Sequence, residues 1–254
     1  MNILLTNDDG FGAPGLAILD EVLSRDHKVY VIAPAEEMSG ISNAFTIHRD
    51  MILQKHDSRH FSLAGYPADC VNVGIHGEII PDFDLVISGI NHGPNMGDDT
   101  FFSGTVAGAR TARIFNKSGI AVSVDTPSPS EELLKDTACF INDTLSEFTA
   151  AFSSPLLLNL NYPDLPPTDI QGLRAAPLSK RIYKDHYEKF DEARGLTRIR
   201  LHGEISAQYR EGSDHDVVSR GYIAVTPLTI DNSDYQTLEL LDNKLWQKKI
   251  SMHE

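Results

Sequence analysis

The chain is expected to fold as an α/β domain around a doubly wound, mostly parallel sheet with helices on both faces. Three observations lead there. The first half alternates short apolar runs with helical patterns, the runs are rich in β-branched residues, and each ends in a polar or glycine-rich turn. Asn2–Thr6 is the first strand. Pro14–Leu23 follows as a helix with Leu16, Leu19 and Leu23 on one face, and Pro14 suits a first turn, where its missing N–H costs nothing. Residues 28–33 (KVYVIA), 84–88 (DLVIS), 120–124 (IAVSV) and 156–160 (LLLNL) are further buried strands, and residues 105–115 and 131–152 are helices. Between positions 46 and 63 the pattern changes to alternation around polar turns, which suits a small antiparallel excursion.

After position 160 the texture changes. YPDLPP is a proline-rich stop, and ten of the 22 basic residues then lie between Arg174 and Arg220, accompanied almost one for one by acids. That balance describes a solvated surface rather than a nucleic-acid patch. Its alternating pieces suggest long hairpins, about 178–220, outside the main core, of the kind that pair with another subunit. Residues 222–226 (YIAVT) return to a buried strand, and residues 233–245 form a last helix opened by a Ser-x-x-Gln cap. The organisation is therefore a catalytic core, 1–160, and a C-terminal part, 161–254, in one functional domain.

Length and charge bound the function. At 254 residues the chain can bury a substantial core. Cys70 and Cys139 stand alone in apolar surroundings and read as small core residues, with no zinc spacing or disulfide framework. MNILLTNDDG carries no basic leader and no apolar run long enough for a membrane span, so the expected place is the cytoplasm. A formal net charge of −14 opposes DNA and anionic membranes as partners, so a phosphorylated substrate has to be captured locally.

The chemistry is expected where loops leave the carboxyl ends of parallel strands. Asn7-Asp8-Asp9-Gly10 follows the first strand, PAEEMSGISN the second, and GINHGPNMGDD the strand DLVIS, before Ser103-Gly104-Thr105 opens a helix. Adjacent carboxylates repel unless a cation sits between them, and a hard ion such as Mg²⁺ or Mn²⁺, one per subunit, meets that need. Neutral oxygens from Ser39 and Asn91 complete the shell, and an all-oxygen set disfavours zinc or copper. Alone, Asp8-Asp9-Gly10 reads equally well as a solvated turn. Ser103-Gly104-Thr105 offers backbone N–H groups and hydroxyls to a phosphate, although alone it reads more readily as a threonine cap with small residues for close packing. Their meeting on one rim favours the site. His92, beside Asn91, is a weaker candidate for a general acid, and the remaining histidines have no ligand spacing.

ILLTNDDG, VIAPAEEMSGISNAFT, DLVISGINHGPNMGDD, SGTVAGA, LNLNYPDLP and RGYIAVTPL together resemble the SurE family of survival proteins, over most of the chain and in order. The resemblance implies a Rossmann-like, metal-dependent 5′/3′-nucleotidase with Asp8, Asp9, Ser39 and Asn91 as metal ligands. It implies Asn43, Asn95, Ser103, Gly104 and Thr105 along the phosphate subsite. It also implies a swapped C-terminal part and a projecting hairpin that build homodimers or homotetramers. Tyr66 stands where Thr is usual, and Phe102 stands where the family usually has Tyr, which removes a possible hydroxyl near the phosphate and bears on substrate preference.

The expected reaction is in-line attack of water on the phosphorus of nucleoside 5′- and 3′-monophosphates. The cation and the Ser103-Gly104-Thr105 amides stabilise charge, and Asp8 or Asp9 takes the proton. Short-chain polyphosphate is a further candidate substrate. The alternatives are an aspartyl-phosphate intermediate and a nucleotide-sensing module without turnover, which the doubled Asp disfavours because phosphate alone is better held by Lys or Arg.

Overall fold

The computed structural model describes residues 1–150, 155–191, 195–208 and 210–244. Its centre is a sheet in the order β3-β4-β2-β1-β5-β6-β7-β11-β8, from β1 (Asn2–Thr6), β2 (Lys28–Pro34), β3 (Leu53–Lys55), β4 (His60–Leu63), β5 (Leu85–His92), β6 (Ser118–Val124), β7 (Leu157–Tyr162), β8 (Leu173–Ala175) and β11 (Ile223–Pro227). β1 lies between β2 and β5, parallel to both, with Ile3 opposite Val29 and Leu85. The chain therefore leaves β1 in one direction and later returns on its other side. That reversal opens a crevice at the carboxyl end of β1, where open α/β sheets bind ligands.

Helices cover both faces. Leu16, Leu19, Val22 and Leu23 of α1 (Pro14–Leu23) and Leu134, Ala138 and Ile141 of α4 (Glu131–Ala150) close one side over Ile3, Leu5 and Ile87. Cys70 and Val71 of α2 (Pro67–His76) and Ala112 of α3 (Gly104–Ile114) close the other over Leu4, Ile32 and Val86. Each large aliphatic side chain so buried contributes about 1.5–3 kcal/mol.

Several expectations change. The strand beginning at DLVIS runs on to His92, with a bulge between Ser88 and Asn91; the bulge lets Asn91 and His92 stay in the sheet while the backbone turns them to the rim. The excursion at 46–63 is an antiparallel β3–β4 pair, but β4 joins β2 in parallel and extends the main sheet. Helix α2 is not among the elements expected from the sequence; Pro67 at its start and Asp69, which accepts from Tyr66 N at 2.9 Å, set it as a helix. Cys139 is exposed, a correction that follows from α4's register: Ala138 and Ile141 take the core positions. The last helix, α6 (Tyr235–Lys244), is capped by Asp234, which accepts from Thr237 N at 3.0 Å, not by Ser233; a carboxylate is the stronger acceptor there. The expected ends of the helices at 152 and 245 lie outside the described residues.

β9 (Lys180–Asp191) and β10 (Thr197–Gln208) form a separate antiparallel sheet, pairing Lys180 with Gln208 and Asp191 with Thr197. β11 returns antiparallel to β7, beside the short α5 (Asp214–Ser219).

Candidate metal and phosphate site

The turn after β1 is shaped by its own side chains. Asn7 Nδ2 donates to Gly10 O at 2.9 Å, and Gly10 takes φ +98°, a conformation open to glycine. The turn is then tied to the loop after β2: Phe11 N donates to Pro34 O at 2.8 Å and Met38 N to Asp8 O at 2.7 Å. Asp8 and Asp9 thus leave the sheet at its reversal point.

Asp8 is 3 % exposed and accepts from the Thr105 hydroxyl at Oδ1. Burial raises its pKa, opposed by that bond and by the Thr105 and Gly104 backbone amides at the start of α3. A Cβ on Gly104 would lie 2.8 Å from Asp8 Cβ and 2.8 Å from Oδ2, so only glycine lets the helix terminus come this close. Asp9 is raised to about 7, first by burial, then by the charges of Asp8 and Glu37, against one bond from the His92 backbone. Its Oδ2 is buried with no hydrogen-bond partner among the described residues.

Asp9, Glu37, Ser39 and His92 line an open cleft of about 480 Å³ together with Pro127 from the end of β6. Ser39 Oγ donates to Glu37 Oε1 at 3.0 Å, which leaves its lone pairs available. Asn91 Nδ2 donates to Gly93 O at 2.7 Å, which leaves its Oδ1 as the acceptor on offer. No group of three or more His, Cys, Asp or Glu among the described residues is arranged to hold a metal. A cation here would therefore draw on carboxylates plus neutral oxygens, a donor set for a hard divalent ion. The donors fit one. Two adjacent carboxyl groups with raised pKa, one with an orphaned oxygen, are what a missing positive charge leaves behind.

The phosphate candidates divide. Ser103 caps α3, accepting from Val106 N at 3.0 Å, so the helix starts one residue earlier than expected and its cap is the serine. Gly104 begins the helix. Thr105 is fully buried with its hydroxyl turned to Asp8, so it orients a carboxylate. Asn43 is exposed, next to Ser42, whose N and Oγ donate to Phe102 O at 2.8 Å and Phe101 O at 2.6 Å. Asn95 is 7 % exposed and held by Asn161, Asn159 and Ser123; its own Nδ2 donates to Ser123 Oγ at 2.8 Å. His92 sits in the cleft with its pKa lowered by burial and its Nε2 unpartnered among the described residues.

Sequence reasoning passed over Glu37, although two acids beside Ser39 in PAEEMSG signalled it. It also passed over the frame that sets α3. Asp99 O accepts from Ser103 N at 3.0 Å, and its carboxylate holds Tyr183 Oη at 2.6 Å and the Arg181 guanidinium at the root of β9. Asp214, fully buried, accepts from Gly97 N at 2.8 Å and Ser179 N at 2.9 Å, and hydrogen bonds from His215, Ser179 and Gly97 hold its pKa down against burial.

The fold is an α/β sheet whose strand order reverses at β1, with Asp8 and Asp9 at that reversal and Asp8 against the N-terminus of α3. The chain matches the family described as Survival protein SurE over residues 3–185, and it belongs to that family. It is 38% identical over 252 residues to the 5′-nucleotidase SurE of Leptospira interrogans, covering 99% of this chain and 100% of that one. It is 37% identical to the 5′-nucleotidase SurE of Pseudoalteromonas atlantica, covering 98% and 100%. The crystal structure of the SurE protein from Aquifex aeolicus superposes with a TM-score of 0.81 at 32% identity, over 96% of this chain and 99% of that chain.

Proposed function

We propose that this chain is a divalent-metal-dependent phosphomonoesterase, a 5′-nucleotidase that converts nucleoside monophosphates to nucleoside and phosphate. Family membership and full-length similarity to 5′-nucleotidases support the activity. The observation that carries the site is Asp9: a half-buried carboxylate, pushed up to about 7 beside Asp8 and Glu37, with an orphaned oxygen in an open cleft.

Asp8, Asp9, Ser39 and Asn91 would hold one cation, Mg²⁺ or Mn²⁺. When bound, the cation supplies charge neutralisation at the phosphoryl oxygens and acidification of water. The chain's own residues do the rest. Thr105 and the α3 terminus keep Asp8 oriented. The Ser103 hydroxyl, the Gly104 amide, Asn43 and the second amide hydrogen of Asn95 face phosphate oxygens, where developing charge meets the positive end of the helix. Asp8 or Asp9 would accept the proton of the attacking water. Nucleoside 3′-monophosphates belong to the same substrate class.

The core, 1–160, and the C-terminal part, 161–254, act as one functional domain. The subunit associates as a homodimer or homotetramer in the cytoplasm, without DNA or membrane partners. Exposed Tyr187, Ile199 and Leu201 on the hairpin and Leu238 and Leu241 on α6 support association. Among the described residues no helix is long and apolar enough to cross a membrane. Phosphate release from AMP with Mn²⁺, abolished by chelator and restored by metal, tests the activity; metal-bound protein releasing no phosphate from any mononucleotide would leave only a binding module.

A further inference from the structure

A second cavity, of about 530 Å³, lies beside the metal cleft, with Met38, Ile41, Ile52, Arg49 and Tyr66 in its walls. Ala35 and Glu36 line both cavities, and both are exposed, so the crest between them is open to solvent. The Arg49 guanidinium lies over the Tyr66 ring at 5.6 Å from its centroid and donates to Tyr66 Oη at 3.3 Å. No carboxylate among the described residues forms an ion pair with Arg49, although the chain carries a formal net charge of −14. Ile52 is 75 % exposed at the same place, an aliphatic side chain left uncovered.

The floor of this cavity is fixed. Asp69, fully buried, accepts from Tyr66 N at 2.9 Å and from Thr46 N and Oγ1, both at 2.8 Å, so it locks the start of α2 to the loop before β3. A rigid aromatic ring, a guanidinium in place over it and flanking aliphatic side chains make a receptor for a flat ring with apolar faces and polar edges. A nucleobase has that chemistry, and a mononucleotide puts a ribose between base and phosphate, so the two can occupy adjoining cavities.

We propose that this cavity receives the nucleobase of the substrate whose phosphate sits at the Asp8–Asp9 cleft, with Tyr66 as stacking surface and Arg49 as donor to the base edge. This rests on the nucleotidase reading of the adjoining cleft. Tyr66 and Arg49 thereby set the preference for nucleotides over other phosphate monoesters, and they act on substrate binding without touching the phosphorus.

The test compares AMP with ribose 5-phosphate, which lacks only the base, on the full chain with Mn²⁺. Arg49→Ala and Tyr66→Leu should each lower kcat/KM for AMP about 10-fold, largely through KM, in line with the loss of one stacking partner. The same variants should leave ribose 5-phosphate within about twofold, and Tyr66→Phe should retain most of the AMP activity. Equal losses on both substrates, or unchanged AMP kinetics, would overturn the proposal. Calorimetry with adenosine separates it from the nucleotidase reading. A parent that binds adenosine, loses it on Arg49→Ala, yet releases no phosphate from AMP keeps this cavity and refutes the activity. A parent that does not bind adenosine, or variants that bind it as the parent does, refutes the cavity.

Discussion

The rim around Asp8 and the hairpin leaving the fold at Lys180 are built in opposite ways. At the rim, polar groups are buried and many are engaged: Asn7 with Gly10, Thr105 with Asp8, Asn95 with Ser123, Asn159 and Asn161. Along the hairpin, apolar side chains are uncovered: Tyr187 is 58 % and Ile199 57 % exposed. Several polar atoms at the rim still lack a partner among the described residues, Thr6 Oγ1, Asn7 Oδ1, Ser88 Oγ and His92 Nε2 included, and Asp9 Oδ2 is the carboxylate oxygen among them. A two-stranded hairpin is marginal alone in water, and among the described residues β9 and β10 pair only with each other. The exposure of its apolar side chains is what the proposed subunit contact would cover. The regions meet at Asp98, Asp99 and Asp214, which hold the hairpin root and the start of α3 in one frame.

The largest effect that could break this comparison is expected at the rim. Asp8→Asn and Asp9→Asn should each reduce turnover about 100-fold or more, as removal of a main electrostatic group does. The fold should survive, because in chelator each change relieves repulsion between neighbouring carboxyl groups. The sign for Asp9 follows from linkage: its folded pKa, about 7, lies above its unfolded value, so folding takes up a proton and metal-free stability declines as pH rises from about 4 through 7. Turnover, melting temperature across that range and Mn²⁺ calorimetry check both parts. Near-parental turnover in either well-folded variant defeats the metal site.

The next largest effect concerns the hairpin. Replacing its outer part, 184–203, by a short turn while keeping Lys180 to Tyr183 should give monomers by light scattering. An unchanged oligomer would show that the exposed apolar stripe serves no subunit contact. Within the retained root, Arg181→Met leaves the Asp99 carboxylate, only 20 % exposed, without its guanidinium and should cost about 3 kcal/mol in denaturant unfolding.

Ser103 and Thr105 sharpen the comparison at finer scale. Ser103→Ala removes a cap worth about 1 kcal/mol and should raise KM for AMP with Mn²⁺ affinity kept. Thr105→Val frees Asp8 and should weaken Mn²⁺ binding about 10-fold, the order seen when a group supporting a metal ligand is lost. Identical losses in both variants would erase that division of labour.

The smallest effect lies on the far side of the sheet. His60 is held between Asp20 at 2.9 Å and Asp57 at 2.8 Å. Burial opposes its charge, but bonds to both carboxylates overcome it and raise its pKa, while Asp57 falls to about 2, chiefly through its bond from Arg59 N. The stabilisation is full below the unfolded value of about 6.5 and disappears as pH climbs past the folded one. The melting-temperature gap between parent and His60→Gln should therefore be wider at pH 6 than at pH 9. A constant gap rules out the charged clamp.

Sequence by itself determined much of this protein. Strand–loop–helix alternation announced the parallel sheet, and β1, α1 and the hairpin lie where periodicity puts them, because each depends on repeats within a few residues of chain. The loops that carry Asp8, Asp9 and Ser39 were legible for the same reason, each following an apolar run, whereas Asn91, expected in a loop, lies near the end of β5. Only the tertiary structure decided what distant residues do to one another. Thr105 looked like a phosphate donor until the fold brought it onto Asp8, 97 positions away. Glu37 drew no reading from the sequence, and only the fold puts its charge beside Asp9. Cys139 looked apolar by its neighbours, yet α4's rotation turned it out. Periodicity reports which face a segment hides, whereas partners across the fold depend on how the hidden faces stack, and no local pattern encodes that stacking.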